Sequence, residues 1–134
     1  NCNKYFYISH RKERRGVGGI FFDNLSSLSL DDSLKMLNSI ASTYLNSYLD
    51  IVSKRKKIKY SSDEKDFQLI RRGRYAEFNL IYDRGTSFGL QSNGRIESIL
   101  ASLPTEVKWK YKKNKKYKIM ERALLKNLNR DWNE

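Results

Sequence analysis

Apolar and polar residues alternate at once. Over residues 4–10, Phe6, Ile8 and His10 fall on one side and Tyr5, Tyr7 and Ser9 on the other, the period of a strand. The charged residues 11–15 separate this stretch from GVGGIFFD, read as a second short strand ending at Asp23, so an antiparallel hairpin is expected. Residues 24–29 form a loop, in which Ser29 with Asp32 resembles a capping box. From 30 to 53 the period changes: Leu30, Leu34, Leu37, Ala41, Leu45, Tyr48 and Val52 recur every three or four positions. That is one apolar stripe of a helix, expected to face a core.

After a basic loop, Ser62 is the expected N-cap of a short helix over 63–72, closed by Gly73. YAEFNLIY (75–82) reads as a strand, with Ala76, Phe78, Leu80 and Tyr82 on one face and Tyr75, Glu77, Asn79 and Ile81 on the other. Asp83 to Thr86 is a turn and SFGLQ a further strand, so 75–91 is predicted to be a hairpin. Asn93-Gly94 turns the chain into a helix over 96–103, stopped by Pro104. Val107, Trp109 and Tyr111 alternate with lysines like an edge strand. An amphipathic helix with Met120, Leu124, Leu125 and Leu128 aligned follows over 117–128. The expected class is α+β, an antiparallel β-sheet covered by α-helices.

Composition narrows this picture. The 134 residues amount to one domain at most. With 27 Lys and Arg against 15 Asp and Glu, the net charge of +12 calls for an anionic partner or a solvated basic surface. The lysine runs 54–59 and 108–118 are read as solvated charge; no nucleic-acid-binding pattern accompanies them. One cysteine, Cys2, excludes an intrachain disulfide and a Cys-rich zinc site. No apolar run is long enough to span a membrane.

The chemistry gathers in residues 66–104. Arg71, Arg72, Arg74, Arg84 and Arg95 lie among turn-forming glycines. Planar guanidinium forks match carboxylates or phosphates, so a polyanionic small molecule is the expected ligand class. Some of these arginines are equally suited to pairing with Asp66, Glu77 or Asp83. His10, the single histidine, taken alone reads as a structural hydrogen-bonding residue at a strand end. Gly16, Gly18 and Gly19 lack the spacing of a dinucleotide fingerprint and read as sites of close backbone approach. Neither a Ser/His/Asp triad nor a phosphate-binding loop is present.

RRGRYAEFNLIYDRGTSFGL, GRIESILASLP, YFYISHRKERRGVGGIFFDNL and the closing RDW closely resemble the C-terminal half of the oxygen-dependent coproporphyrinogen-III oxidase family. The resemblance implies that residues 1–134 are the C-terminal portion of one domain, the N-terminal half being absent. It implies oxidative decarboxylation of coproporphyrinogen III to protoporphyrinogen IX by dioxygen, without an organic cofactor. Asn93, Gly94 and Arg95 match the family's substrate-binding Gly-Gly-Arg, with Asn for the first glycine, and Arg95 becomes a propionate clamp. His10 matches a histidine regarded in bacterial members as a divalent-metal ligand, while other branches are treated as metal-free. The resemblance leaves no catalytic residue in this half, since the proton-donating histidine lies in the other. It also implies a homodimer formed through roughly residues 75–110, no nucleic-acid partner, and a bacterial-type cytoplasmic location (mitochondrial or plastid in a eukaryote).

Overall fold

The computed structural model describes residues 2–22, 24–112 and 114–130. The strand end expected at Asp23, Lys113 of the second lysine run, and Asp131 and Trp132 of the RDW string lie outside the described residues. In chain order the elements are α1 (Cys2–Tyr5), β1 (Tyr7–Ile8), β2 (Glu13–Arg14), α2 (Leu30–Arg55), α3 (Ser62–Ile81), α4 (Arg84–Gln91), α5 (Ile96–Ile99) and α6 (Lys118–Leu128). The α+β class holds, with the antiparallel sheet reduced to β1 and β2 among the described residues. The chain divides into two compact units, one made of Asn1–Phe21 with Ser61–Glu134 and the other of Phe22–Tyr60.

In the second unit α2 runs where its periodicity placed it. Ser29 caps it, its hydroxyl accepting from the Asp32 amide at 3.2 Å. The expected core is missing: α2 has no buried residue, and Leu30, Leu34, Leu37, Leu45 and Tyr48 are all exposed.

In the first unit the hairpin forms with a different second strand. Ile8 pairs with Glu13 and Tyr7 with Arg14, reversed through Ser9–Arg11 and Lys12 at φ 53°. The charged run thus supplies β2, and residues 16–22 are not a strand. Glu13 can occupy this half-buried place because Arg74 and Arg71 reach its carboxylate at 2.6 and 3.2 Å. Of the three glycines only Gly18 lacks room for a side chain: a Cβ there would lie 2.6 Å from that of Cys2, whereas one on Gly16 or Gly19 would meet nothing within 4 Å.

The largest correction concerns 75–91, where two helices replace the expected hairpin. α3 starts at a capping box, Ser61 with Glu64, and runs through Gly73 to Ile81. Alternation in YAEFNLIY misleads because Ala76, Glu77, Phe78 and Asn79 are buried consecutively, which no half-buried strand allows. Ion pairing lets Glu77 go inside beside its apolar neighbours. SFGLQ belongs to α4, whose N-cap Asp83 accepts from the Thr86 amide at 2.8 Å. Residues 107–111 are not a strand, and the helix expected over 96–103 is the single turn α5. α6 falls as predicted, with Leu128 buried.

Gly73 does not end α3. A Cβ there would run into the backbone carbonyl of Lys108, whose own amide donates to the Leu69 carbonyl at 3.0 Å. The glycine is a notch that seats an extended segment against the helix. Gly73→Ala should therefore destabilise the fold despite alanine's better helix propensity, by about 2 kcal/mol net. Urea unfolding checks this, and a stabilised variant would refute the notch. The core around it consists of Ile8 and Phe78, fully buried, with Leu69, Ile70, Ala76, Tyr117 and Leu128.

Candidate functional site

An open cavity of about 400 Å³ lies in the first unit, walled by Phe6, Phe21 and Tyr75 and edged by Asn79, Thr86, Ser98 and Ser102. Aromatic packing builds the wall: the Tyr5 ring stacks on Phe21 at 4.5 Å and Phe6 meets Phe78 edge-on at 5.5 Å. Arg15, which follows β2 directly, also lines the cavity. Its guanidinium lies 3.9 Å over the Phe6 ring, 4.6 Å from Tyr75 and 5.3 Å from Phe78. Its buried Nε has no hydrogen-bond partner among the described residues. The guanidinium is held against ring faces, and the Asp83 carboxylate lines the same cavity.

Tyr75 adjoins it. Burial pushes the phenol's pKa up, but the side chains of Ser102 and Asn79 and the charge of Arg15 outweigh it and leave the pKa below its ordinary value. The cavity therefore offers a cation and an acidified hydroxyl beside flat apolar walls, an arrangement suited to a carboxylate on an aromatic or macrocyclic body.

His10 is not among the residues lining the cavity. Its Nε2 meets the Glu77 carboxylate, and its Nδ1 lies 2.8 Å from the Tyr82 hydroxyl. Glu77 is 6% exposed and also accepts from Arg11 Nε at 2.6 Å. Burial pulls the Glu77 pKa up, yet the hydrogen bonds from Arg11 and His10 and their charges hold it below the ordinary carboxylate value. The carboxylate at Nε2 orients the ring so that Nδ1 faces the Tyr82 hydroxyl. The same outer carboxylate orients imidazoles that bind metals, so His10 fits one ligand position with Tyr82 displaced. No group of three metal-ligating side chains gathers among the described residues.

The predicted substrate loop closes α4. Asn93 adopts φ 55°, and the Gly94 amide donates to the Gly89 carbonyl at 3.0 Å, a helix C-cap in which asparagine replaces the usual glycine. Arg95 is the exposed N-cap residue of α5, and its Nη2 donates to Ser98 Oγ at 3.3 Å. Ser98 lines the cavity whereas Arg95 does not. Arg71 and Arg74 are committed to Glu13 and to backbone carbonyls, Arg72 is exposed, and Arg84 lies over the Tyr5 ring at 5.3 Å.

Part of the second lysine run is likewise tied down. Lys108, Lys110 and the Tyr117 hydroxyl converge on Asp66, and Lys116 pairs with Asp63 at 2.6 Å. Hydrogen bonds from Lys108 and then Tyr117 hold the Asp66 carboxyl well below the usual carboxylate range.

Sequence reasoning missed Arg15 and Tyr75. The available signal was an arginine just before the glycine stretch, with Phe6 and Phe21 on either side in the chain.

Residues 1–133 match the family model described as coproporphyrinogen III oxidase. The chain is 59% identical over 110 residues to the oxygen-dependent coproporphyrinogen-III oxidase of Francisella philomiragia, covering 82% of this chain and 36% of that protein. The enzymes of that name from Francisella tularensis subsp. holarctica and subsp. novicida are 57% and 56% identical over the same length. The chain thus spans 36% of the length of these curated relatives. On the family match over 1–133 and this identity, the chain belongs to the coproporphyrinogen III oxidase family.

Proposed function

We propose that these residues are part of an enzyme that oxidatively decarboxylates coproporphyrinogen III to protoporphyrinogen IX with dioxygen, releasing carbon dioxide and hydrogen peroxide. The carrying observation is the 59% identity to an oxygen-dependent coproporphyrinogen-III oxidase. The cavity agrees with it. Too small for a whole tetrapyrrole with four propionates, it suits one propionate-bearing edge, with Arg15 facing the carboxylate and the aromatic wall facing the pyrrole. Arg95 is the second candidate clamp, next to the cavity through Ser98.

The protein's work in this reading is to orient and neutralise. The porphyrinogen is electron-rich and delivers its own electrons to dioxygen, so no organic cofactor enters. A divalent cation bound through Nδ1 of His10 would add a Lewis-acid centre; no step here depends on it. The test is an aerobic assay of a full-length protein containing these residues, with products read by chromatography and fluorescence. Protoporphyrin formation supports the reading, and no turnover by a folded protein overturns it.

The reading includes a homodimer formed through roughly residues 75–110. Leu80, Ile81, Phe88, Leu90 and Ile96 of α3, α4 and α5 are large, apolar and exposed, as a subunit contact requires. Leu80→Asp should shift the full-length protein from dimer to monomer in sedimentation velocity. A stable Leu80→Asp dimer would remove these helices from the contact. Phe78 is unsuited to this test because it is 1% exposed and belongs to the core. The bacterial relatives support a cytoplasmic location, and no described helix is long and apolar enough to cross a membrane.

A further inference from the structure

We infer that a second, smaller cavity of the first unit is a site for one monatomic anion, of which chloride is the common representative. Arg71 and Arg74, one turn apart on α3, line it together with Lys110, Lys112, Tyr117 and Glu121. It shares no lining residue with the aromatic-walled cavity, and the inference is independent of the proposed reaction.

The charges there do not balance. Among the described residues the lining holds four cations against one carboxylate, Glu121. The carboxylates behind them are shared: Glu13 serves both Arg71 and Arg74, at 3.2 and 2.6 Å, and Asp66 serves both Lys108 and Lys110. Two buried donors are left over. Arg71 Nε and Arg74 Nη1 have no hydrogen-bond partner among the described residues, Glu77 Oε2 standing 3.9 Å from the latter. Buried N–H groups are almost always paired, so such a pair of donors calls for an acceptor. Burial pulls the Arg71 pKa below its ordinary value; Glu13 opposes this and Arg74 adds to it. Water would satisfy the donors, but only a negative charge also offsets the crowding of buried cations.

Size selects the anion. The cavity measures about 30 Å³, room for one small ion or one or two waters and too little for a phosphate. Two of its cations come from α3 and two from the segment leading into α6, so an anion between them ties that segment to the helix. Arg71 extends the effect to the hairpin, because its Nη2 donates to the Arg14 carbonyl at 3.0 Å.

The test exchanges chloride for methanesulfonate at constant ionic strength, so that screening of the +12 net charge is the same in both salts. The melting temperature of the full-length protein should rise by about 3 °C once chloride reaches roughly ten times its dissociation constant. The chloride NMR line should broaden when the protein is added. Lys112→Glu, which brings a carboxylate to the cavity, should abolish both effects. Lys115→Glu makes the same charge change at a residue outside the lining and should leave both intact. Lys112→Gln, a milder change at the same exposed place, should weaken chloride binding about fivefold, the worth of one exposed ion pair. Equal melting temperatures in the two salts, without broadening, would mean that water fills the cavity and would overturn the inference. Equal losses in Lys112→Glu and Lys115→Glu would overturn it too, since chloride would then be reading surface charge alone.

Discussion

Arg15→Lys is expected to lower kcat/KM for coproporphyrinogen about 100-fold in the full-length protein. Lysine keeps the charge but not the planar fork or its fit against aromatic faces. Arg15 lies 3.9 Å over Phe6 and 4.6 Å from Tyr75, with a buried Nε lacking a partner among the described residues. Losing a bidentate, charge-assisted contact to a carboxylate costs about 2–3 kcal/mol, a factor of roughly 30 to 150. Steady-state kinetics measures the change, and a melting curve separates it from damage to the fold. Kinetics equal to those of the unaltered protein would show that the cavity holds no substrate carboxylate.

Glu77→Gln is expected to have the largest effect on stability. Glu77 is buried where His10, Arg11 and Arg74 converge, Arg74 Nη1 lying 3.9 Å from its second oxygen. Removing the negative charge leaves two guanidinium groups facing a neutral amide in a desolvated place, which costs about 3 kcal/mol. Because the folded carboxyl has a pKa below its ordinary value, the folded state gives up its proton more readily than the unfolded chain. The carboxylate's contribution is therefore complete above the unfolded value and fades as pH falls through the folded one. Unfolding midpoints from pH 7 to pH 3 should fall for the unaltered protein, and more gently for Glu77→Gln. Parallel slopes would mean that other carboxylates govern the acid transition.

The elements that could be read from the chain are those whose signals are local. Ser29 capped α2, Leu124, Leu125 and Leu128 aligned on α6, and Asn93 took the left-handed conformation that an Asn-Gly turn suggests. What stayed hidden depended on distant partners. Glu77 looked like the polar member of an alternating strand because its burial depends on residues of the N-terminal segment. Gly73 looked like a helix stop because the carbonyl it accommodates belongs to Lys108. Arg15 carried no motif, and its setting comes from three rings brought together by folding. Asn93, Gly94 and Arg95 could be located only by resemblance, since their local geometry is that of an ordinary helix cap.

The division of the chain has a consequence for how it assembles. Glu13 meets Arg71 and Arg74, and His10 meets Glu77, only after the chain has looped through Phe22–Tyr60. Loop-closure entropy grows slowly with length, by about 0.6 kcal/mol per doubling, so changing the length of that excursion costs the first unit little. Cutting it is another matter. The exposed stretch Lys56–Tyr60 carries the lysines that trypsin recognises, and one cleavage there turns an intramolecular docking into a bimolecular one. The hairpin bearing Arg15 would then stay with Tyr75 only as far as concentration allowed.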